Sequence, residues 1–174
     1  IEDEIRFQDA STIAAFIMEP ILGAGGVIPP HESFMPGVRS LCSTNGILLI
    51  ADEVITAFGR TGSKTGSRHW GVKPDLLVSA KAITNGAQPM GAVAARQDIY
   101  DTITDAGPAK GVEFFHGYTY SAHPAACAAG LAMMDIFTKE KLIERAAALS
   151  PYFIEAVHSL RDLPIVTDIR SIGL

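Results

Sequence analysis

ILLIADE at residues 47–53 and LLVSAK at residues 76–81 are two short, unbroken apolar runs, and each ends abruptly on charge. A run of this length without polar alternation suits a strand covered on both faces, as in parallel sheets whose crossovers pack above and below them. Working outward, TIAAFIM closes the segment from Ser11 to Met18 in the same manner. It stops at Glu19-Pro20, where the proline ring removes a backbone donor. GAVAA at residues 91–95 reads as a fourth strand. Between TIAAFIM and ILLIADE lie a Gly/Pro loop, GAGGVIPP, and a segment from Ser33 to Asn45 with apolar residues at Phe34, Val38, Leu41 and Cys42. That is helical spacing, with Ser33 placed as N-cap and Gly46 as stop. A loop rich in Gly and Thr spans Phe58 to Lys73. Strands alternating with helices or loops define an α/β chain with a parallel or mixed sheet flanked by helices.

The last third changes character. PAACAAGLAMMDIF at residues 124–137 is a small-residue helix suited to close packing, and a second helix with apolar and charged faces runs from Glu140 to about Leu160. After Pro164, IVTDIRSIGL reads as the first strand of another domain. The chain opens at Ile1 rather than at methionine and closes inside that strand, so it reads as an internal stretch of a longer protein.

Composition narrows the function classes. With 174 residues and 48% hydrophobic content, one sizeable core is expected. Charged residues are 19% of the chain, the net charge is −5, and Lys and Arg are scattered, which argues against a nucleic-acid surface. No run approaches a membrane span, and the acidic start IEDEIRFQDA is unlike a signal peptide, so a soluble, cytoplasmic protein is expected. Cys42 and Cys127 are too few for a disulfide framework and read as buried thiols. His116 and His123 lack metal-ligand spacing with either cysteine, and no metal is expected. GAGG lacks the full G-x-G-x-x-G and runs into Pro29-Pro30, which disfavours a dinucleotide site.

Chemistry concentrates at the strand ends: Glu19, Asp52 with Glu53, and Lys81. In open α/β sheets, ligands bind beyond the carboxyl ends of the strands, so these side chains are placed to converge on one crevice.

Three segments carry a family resemblance: IADEVITAFGRTG at 50–62, PDLLVSAKAITNGAQPMGAV at 74–93 and HGYTYSAHPAACAAGLA at 116–132. Together they resemble the class III, fold-type I aminotransferases, which use pyridoxal 5'-phosphate (PLP), and most closely the omega-amino-acid (β-alanine) pyruvate transaminases. The resemblance covers nearly the whole chain, from Glu19-Pro20 to DIRSIGL.

It implies the large domain of that fold over residues 1–137, a connecting helix over 138–163 and the start of the C-terminal small domain over 164–174. The N-terminal part of the protein lies outside this chain. Lys81 matches the Schiff-base lysine: a primary amine suits an aldehyde cofactor and, once freed, a base can move the substrate proton. Asp52 matches the acid that pairs with the pyridine nitrogen, and Val54 the apolar side chain against one ring face. Thr119, with Tyr118 shaping the same turn, matches a threonine that binds the cofactor phosphate of a neighbouring subunit, implying a homodimer or homotetramer with shared active sites.

Glu19 matches an acid that faces a substrate-binding arginine. Gln88 is placed to contact cofactor or partner chain, and Arg60 to serve its own loop. The implied reaction moves an amino group from a small-molecule donor, an omega-amino acid or amine, to a keto acid, pyruvate. A GABA- or ornithine-type transaminase, a glutamate-semialdehyde-type aminomutase and a non-catalytic homologue remain alternatives. Two departures stand out. Ala57 occupies the position where DEV-x-x-GFGRTG has its first glycine, and SGHP is here SAHP, a form that the β-alanine–pyruvate group shares. The Gly-Ser phosphate loop, the aromatic residue over the other ring face and the carboxylate-binding arginine expected of the family lie outside this chain.

Overall fold

A computed structural model describes residues 1–109, 114 and 116–174. Its centre is a four-stranded sheet in the order β1 (Ala15–Met18), β2 (Leu48–Asp52), β3 (Leu76–Ser79), β4 (Ala92–Ala95). The first three strands run parallel, with Met18 opposite Ala51 and Asp52 opposite Val78, while β4 returns antiparallel with Ser79 opposite Ala92. The helices are α1 (Glu2–Gln8), α2 (Phe34–Thr44), the short α3 (Gly66–His69), α4 (Gln97–Asp105), α5 (Pro124–Lys139) and α6 (Leu142–His158).

One face of the sheet carries the core. Along β2, Leu49 and Ala51 are fully buried while Leu48, Ile50 and Asp52 are half-buried, because alternate side chains leave a strand on opposite faces. Met35, Val38 and Cys42 of α2, spaced three and four apart, pack with Leu49, Ile5, Ile47 and Val72. Burying a side chain such as Leu49 or Met35 contributes about 1.5–3 kcal/mol. Helix α2 ends in a Schellman turn: Gly46 sits at φ +68, and the Ile47 N–H reaches back to the Cys42 carbonyl at 2.9 Å. That turn delivers the chain straight into β2.

The structure corrects several expectations. Among the described residues nothing covers the other sheet face, where Ile17 and Val93 are each more than 60% exposed. Continuous apolar runs record how apolar a strand is, not what lies over it. Residues 164–174 form no strand; the segment lies against the loop after β2, where the Leu174 N–H donates to the Arg60 carbonyl at 2.9 Å. Among the described residues there is no neighbouring strand for its apolar pattern to pair with. Ser33 does occupy the N-cap of α2, but its hydroxyl bonds to His31 Nδ1 at 2.8 Å instead of capping the helix. The stretch from Phe58 to Lys73 contains α3, whose N-cap, Thr65, accepts from the Arg68 N–H. Cys42 is buried as expected, whereas Cys127 is only half-buried.

At the amino ends of β2 and β3, Asp75 is a brace. Its carboxylate, only 4% exposed, accepts from the Leu49 N–H and from Arg39, each at 2.7 Å, and pairs with Arg96. Its own N–H and carbonyl bond to Leu49 and Arg96, so one residue ties three strands to α2. Burial works to raise the Asp75 pKa, but the Leu49 N–H and the two guanidiniums outweigh it and hold the carboxyl below the usual range.

Candidate active site

The opposite, carboxyl ends of the strands gather the reactive groups. Glu19 follows β1, Asp52 closes β2, and Lys81 stands two residues beyond β3, on three neighbouring strands. The ladder continues one step past Asp52, since the Glu53 N–H donates to the Val78 carbonyl at 2.8 Å. This fixes the Asp52 backbone against the strand that leads to Lys81.

Lys81 departs from ordinary backbone geometry. After an extended Ala80 it enters the left-handed region at φ +46 and begins a 3-10 turn over Lys81–Ile83. For a side chain with a β-carbon this conformation costs about 1–2 kcal/mol, and such strain clusters where orientation matters. The turn exposes the lysine, whose side chain lines an open cleft of about 610 Å³ with Ile55, Arg60, Ala82, Asn85, Gly86 and Leu174. Among the described residues its amine makes no ion pair.

Asp52 is half-buried, and one of its oxygens, Oδ1, accepts the Val54 N–H at 3.1 Å. No ion pair joins it to Lys81 or to any other described residue, which leaves Oδ2 available to an outside donor. Val54 is half-buried beside it. An unpaired primary amine and a half-paired carboxylate on adjacent strand ends are the donor set that suits the aldehyde and the ring nitrogen of PLP. The residues present therefore fit that group.

Glu19 is engaged elsewhere: its Oε2 accepts the Gly23 N–H at 3.0 Å and closes the turn after β1. The methyl end of Ile55 lies over Gly23, 2.3 Å from where an ideal Cβ would stand, so a side chain there would have to push that methyl aside. Thr119 and Lys81 line different clefts. Thr119 is exposed and lines an opening of about 760 Å³ with Gln88, Met90, His123 and Cys127. Tyr118 is half-exposed and stands edge-on to His116, 4.7 Å between ring centres.

Sequence reasoning assigned Arg60 to its loop, yet the structure sets it in the Lys81 cleft, with its carbonyl holding Leu174. Ile55 and Asn85 were not singled out. Their signal was proximity alone, Ile55 just past Asp52 and Asn85 one turn after the lysine.

A family model described as "Aminotransferase class-III" matches residues 3–174. The chain belongs to the class-III aminotransferases. Among its curated relatives in that family, the beta-alanine–pyruvate aminotransferase of Pseudomonas aeruginosa is 52% identical over 171 residues, 98% of this chain and 38% of the relative. The chain thus spans well under half the length of the curated relatives it matches. Among solved structures, an (S)-enantioselective omega-transaminase from Thermomicrobium roseum superimposes with a TM-score of 0.93 at 44% identity, covering 99% of this chain and 38% of that one. An amine transaminase from an uncultivated Pseudomonas species, solved in a PLP-bound form, gives 0.92 at 46% identity, covering 99% and 39%. These matches confirm the α/β fold of a class-III aminotransferase for the stretch in hand.

Proposed function

We propose that the full-length protein is a PLP-dependent transaminase moving an amino group from an omega-amino acid or amine, β-alanine-like, to pyruvate. The observation that carries this reading is the placement of a free Lys81 amine and a half-satisfied Asp52 carboxylate at neighbouring strand ends in a class-III aminotransferase chain. PLP, when bound, supplies an aldehyde that takes up an amine and a ring that withdraws electrons from the substrate carbon.

In this reading Lys81 Nζ binds the cofactor. Once displaced by the donor's amine, Lys81 Nζ would take the proton from the substrate carbon and deliver it to the carbon that came from the cofactor's aldehyde. Asp52 Oδ2 accepts from the ring nitrogen and keeps it protonated, while the Val54 N–H holds the other oxygen so that the carboxylate cannot turn away. Val54 supports one face of the ring. Thr119, which lines a different cleft from Lys81 in this chain, serves the phosphate of a neighbouring subunit, which makes the homodimer or homotetramer the working form; Tyr118 shapes its turn. Glu19 is held in reserve for an arginine of the small domain that begins near residue 164. The substrate class follows the beta-alanine–pyruvate relative. A cytoplasmic setting accords with two cysteines that are both free.

Full-length protein mixed with PLP develops a visible absorption band that Lys81→Ala abolishes, and it converts pyruvate to alanine in step with β-alanine consumed. A colourless protein that takes up no PLP refutes the proposal. Isomerisation of the donor without any acceptor assigns it to the aminomutase class instead.

A further inference from the structure

Asp52 and Glu53 are neighbours in the chain, yet they have opposite fates. Strand alternation leaves Asp52 half-buried at the rim, while Glu53 is fully buried, with no cation paired to it among the described residues. A buried carboxylate without a counter-charge is costly unless its lone pairs are filled. Here they are filled by three donors: Thr56 Oγ1 at 2.5 Å and the Gly66 N–H at 2.6 Å on Oε2, and the Ser67 N–H at 2.7 Å on Oε1.

The Glu53 backbone is equally engaged, its N–H on the Val78 carbonyl and its carbonyl taking the Ala57 N–H. A β-carbon on Gly66 would stand 2.7 Å from Thr56 Cβ, so the loop closes this tightly only because residue 66 is glycine. The loop clamped in this way starts at Val54, whose N–H holds Asp52, and carries Ile55 and Arg60, which line the Lys81 cleft.

We infer that Glu53 is a positioning residue that sets the geometry of the Asp52–Val54 turn and of the loop flanking Lys81. The inference rests on the transaminase reading above. A carboxylate suits this place because it is acceptor-only and can serve all three donors. Glutamine of the same size would turn an N–H₂ toward a backbone N–H, donor against donor. Glu53 touches neither cofactor nor substrate in this scheme and acts through Asp52 and Val54.

The test uses the full-length enzyme and Glu53→Gln. The expected result is PLP binding weakened about tenfold, the loss of one well-made hydrogen bond. With it come a displaced pH midpoint for the visible band, a fall in kcat with little change in KM, and faster amide exchange over residues 54–67 of the apoprotein. Thr56→Val, which removes one of the three donors, moves the same readouts in the same direction by less, and decides the matter if Glu53→Gln does not fold. Glu53→Gln with wild-type PLP affinity and an unmoved band, even if less heat-stable, overturns the inference alone; so does an unmoved band in Thr56→Val when Glu53→Gln does not fold. A wild-type protein that takes up no PLP overturns the reading beneath it, and this inference with it.

Discussion

Replacing Asp75 tests the brace at the far end of the sheet. Asp75→Ala strips the Leu49 N–H of its buried acceptor, a loss of about 1–3 kcal/mol, and removes the charge-assisted bond from Arg39, about 1.5–3 kcal/mol. The Arg96 pair adds little, because that guanidinium is 44% exposed and keeps Asp98 as a partner. A total near 4 kcal/mol is expected for alanine. Asp75→Asn keeps one oxygen for the Leu49 N–H and loses mainly the charge, so about 2 kcal/mol is expected.

Urea unfolding of the full-length apoprotein followed by circular dichroism, across a pH series, reads both values. The carboxyl of Asp75 is depressed in the folded state, so its stabilisation is fully present above the unfolded carboxylate value, about 3.9, and is lost as pH falls through the lower folded value. The gap between wild type and Asp75→Asn is therefore full at neutral pH and shrinks below about pH 4. A loss under 1 kcal/mol for alanine, or a gap unchanged from pH 7 to pH 3, refutes the brace.

Gly62→Ala is expected to destabilise by about 2–3 kcal/mol, since φ is +74 and an added Cβ would lie 2.8 Å from Ala147 Cα on α6; a shift of the unfolding midpoint measures it. Cys42 is 1% exposed, and burial pushes its thiol pKa up, so at pH 8 a disulfide reagent labels it only after denaturation. Mass spectrometry of native, briefly labelled protein checks this, and rapid modification of Cys42 would show an open core.

The strands were legible because each is a short apolar run closed by charge, and α2 because its apolar residues fall three and four apart before Gly46. Helices α1 and α4 escaped notice for the converse reason. Helix α1 buries only Ile5, and α4 buries nothing although Ile99, Tyr100 and Ile103 share one of its faces, so neither pattern marks a place in the core. The acids and the lysine at the strand ends could be placed in sequence, because topology puts the ends of parallel strands on one side. Which of Asp52 and Glu53 turns inward could not, since that depends on which sheet face holds the core. The meeting of Arg60 with Lys81 is likewise a product of loop closure, which no periodicity encodes.

The left-handed backbone at Lys81 bears on how this chain can change over generations. Stability alone would favour glycine there, or asparagine, the residues that adopt that conformation most readily. Every such replacement would relax the fold and remove the amine at the carboxyl end of β3. A lineage released from its chemistry would drift toward glycine at this position. In the proposed reading the lysine is held against the preference of its own backbone, and a change there toward greater stability would mark a class-III chain that has given up its reaction.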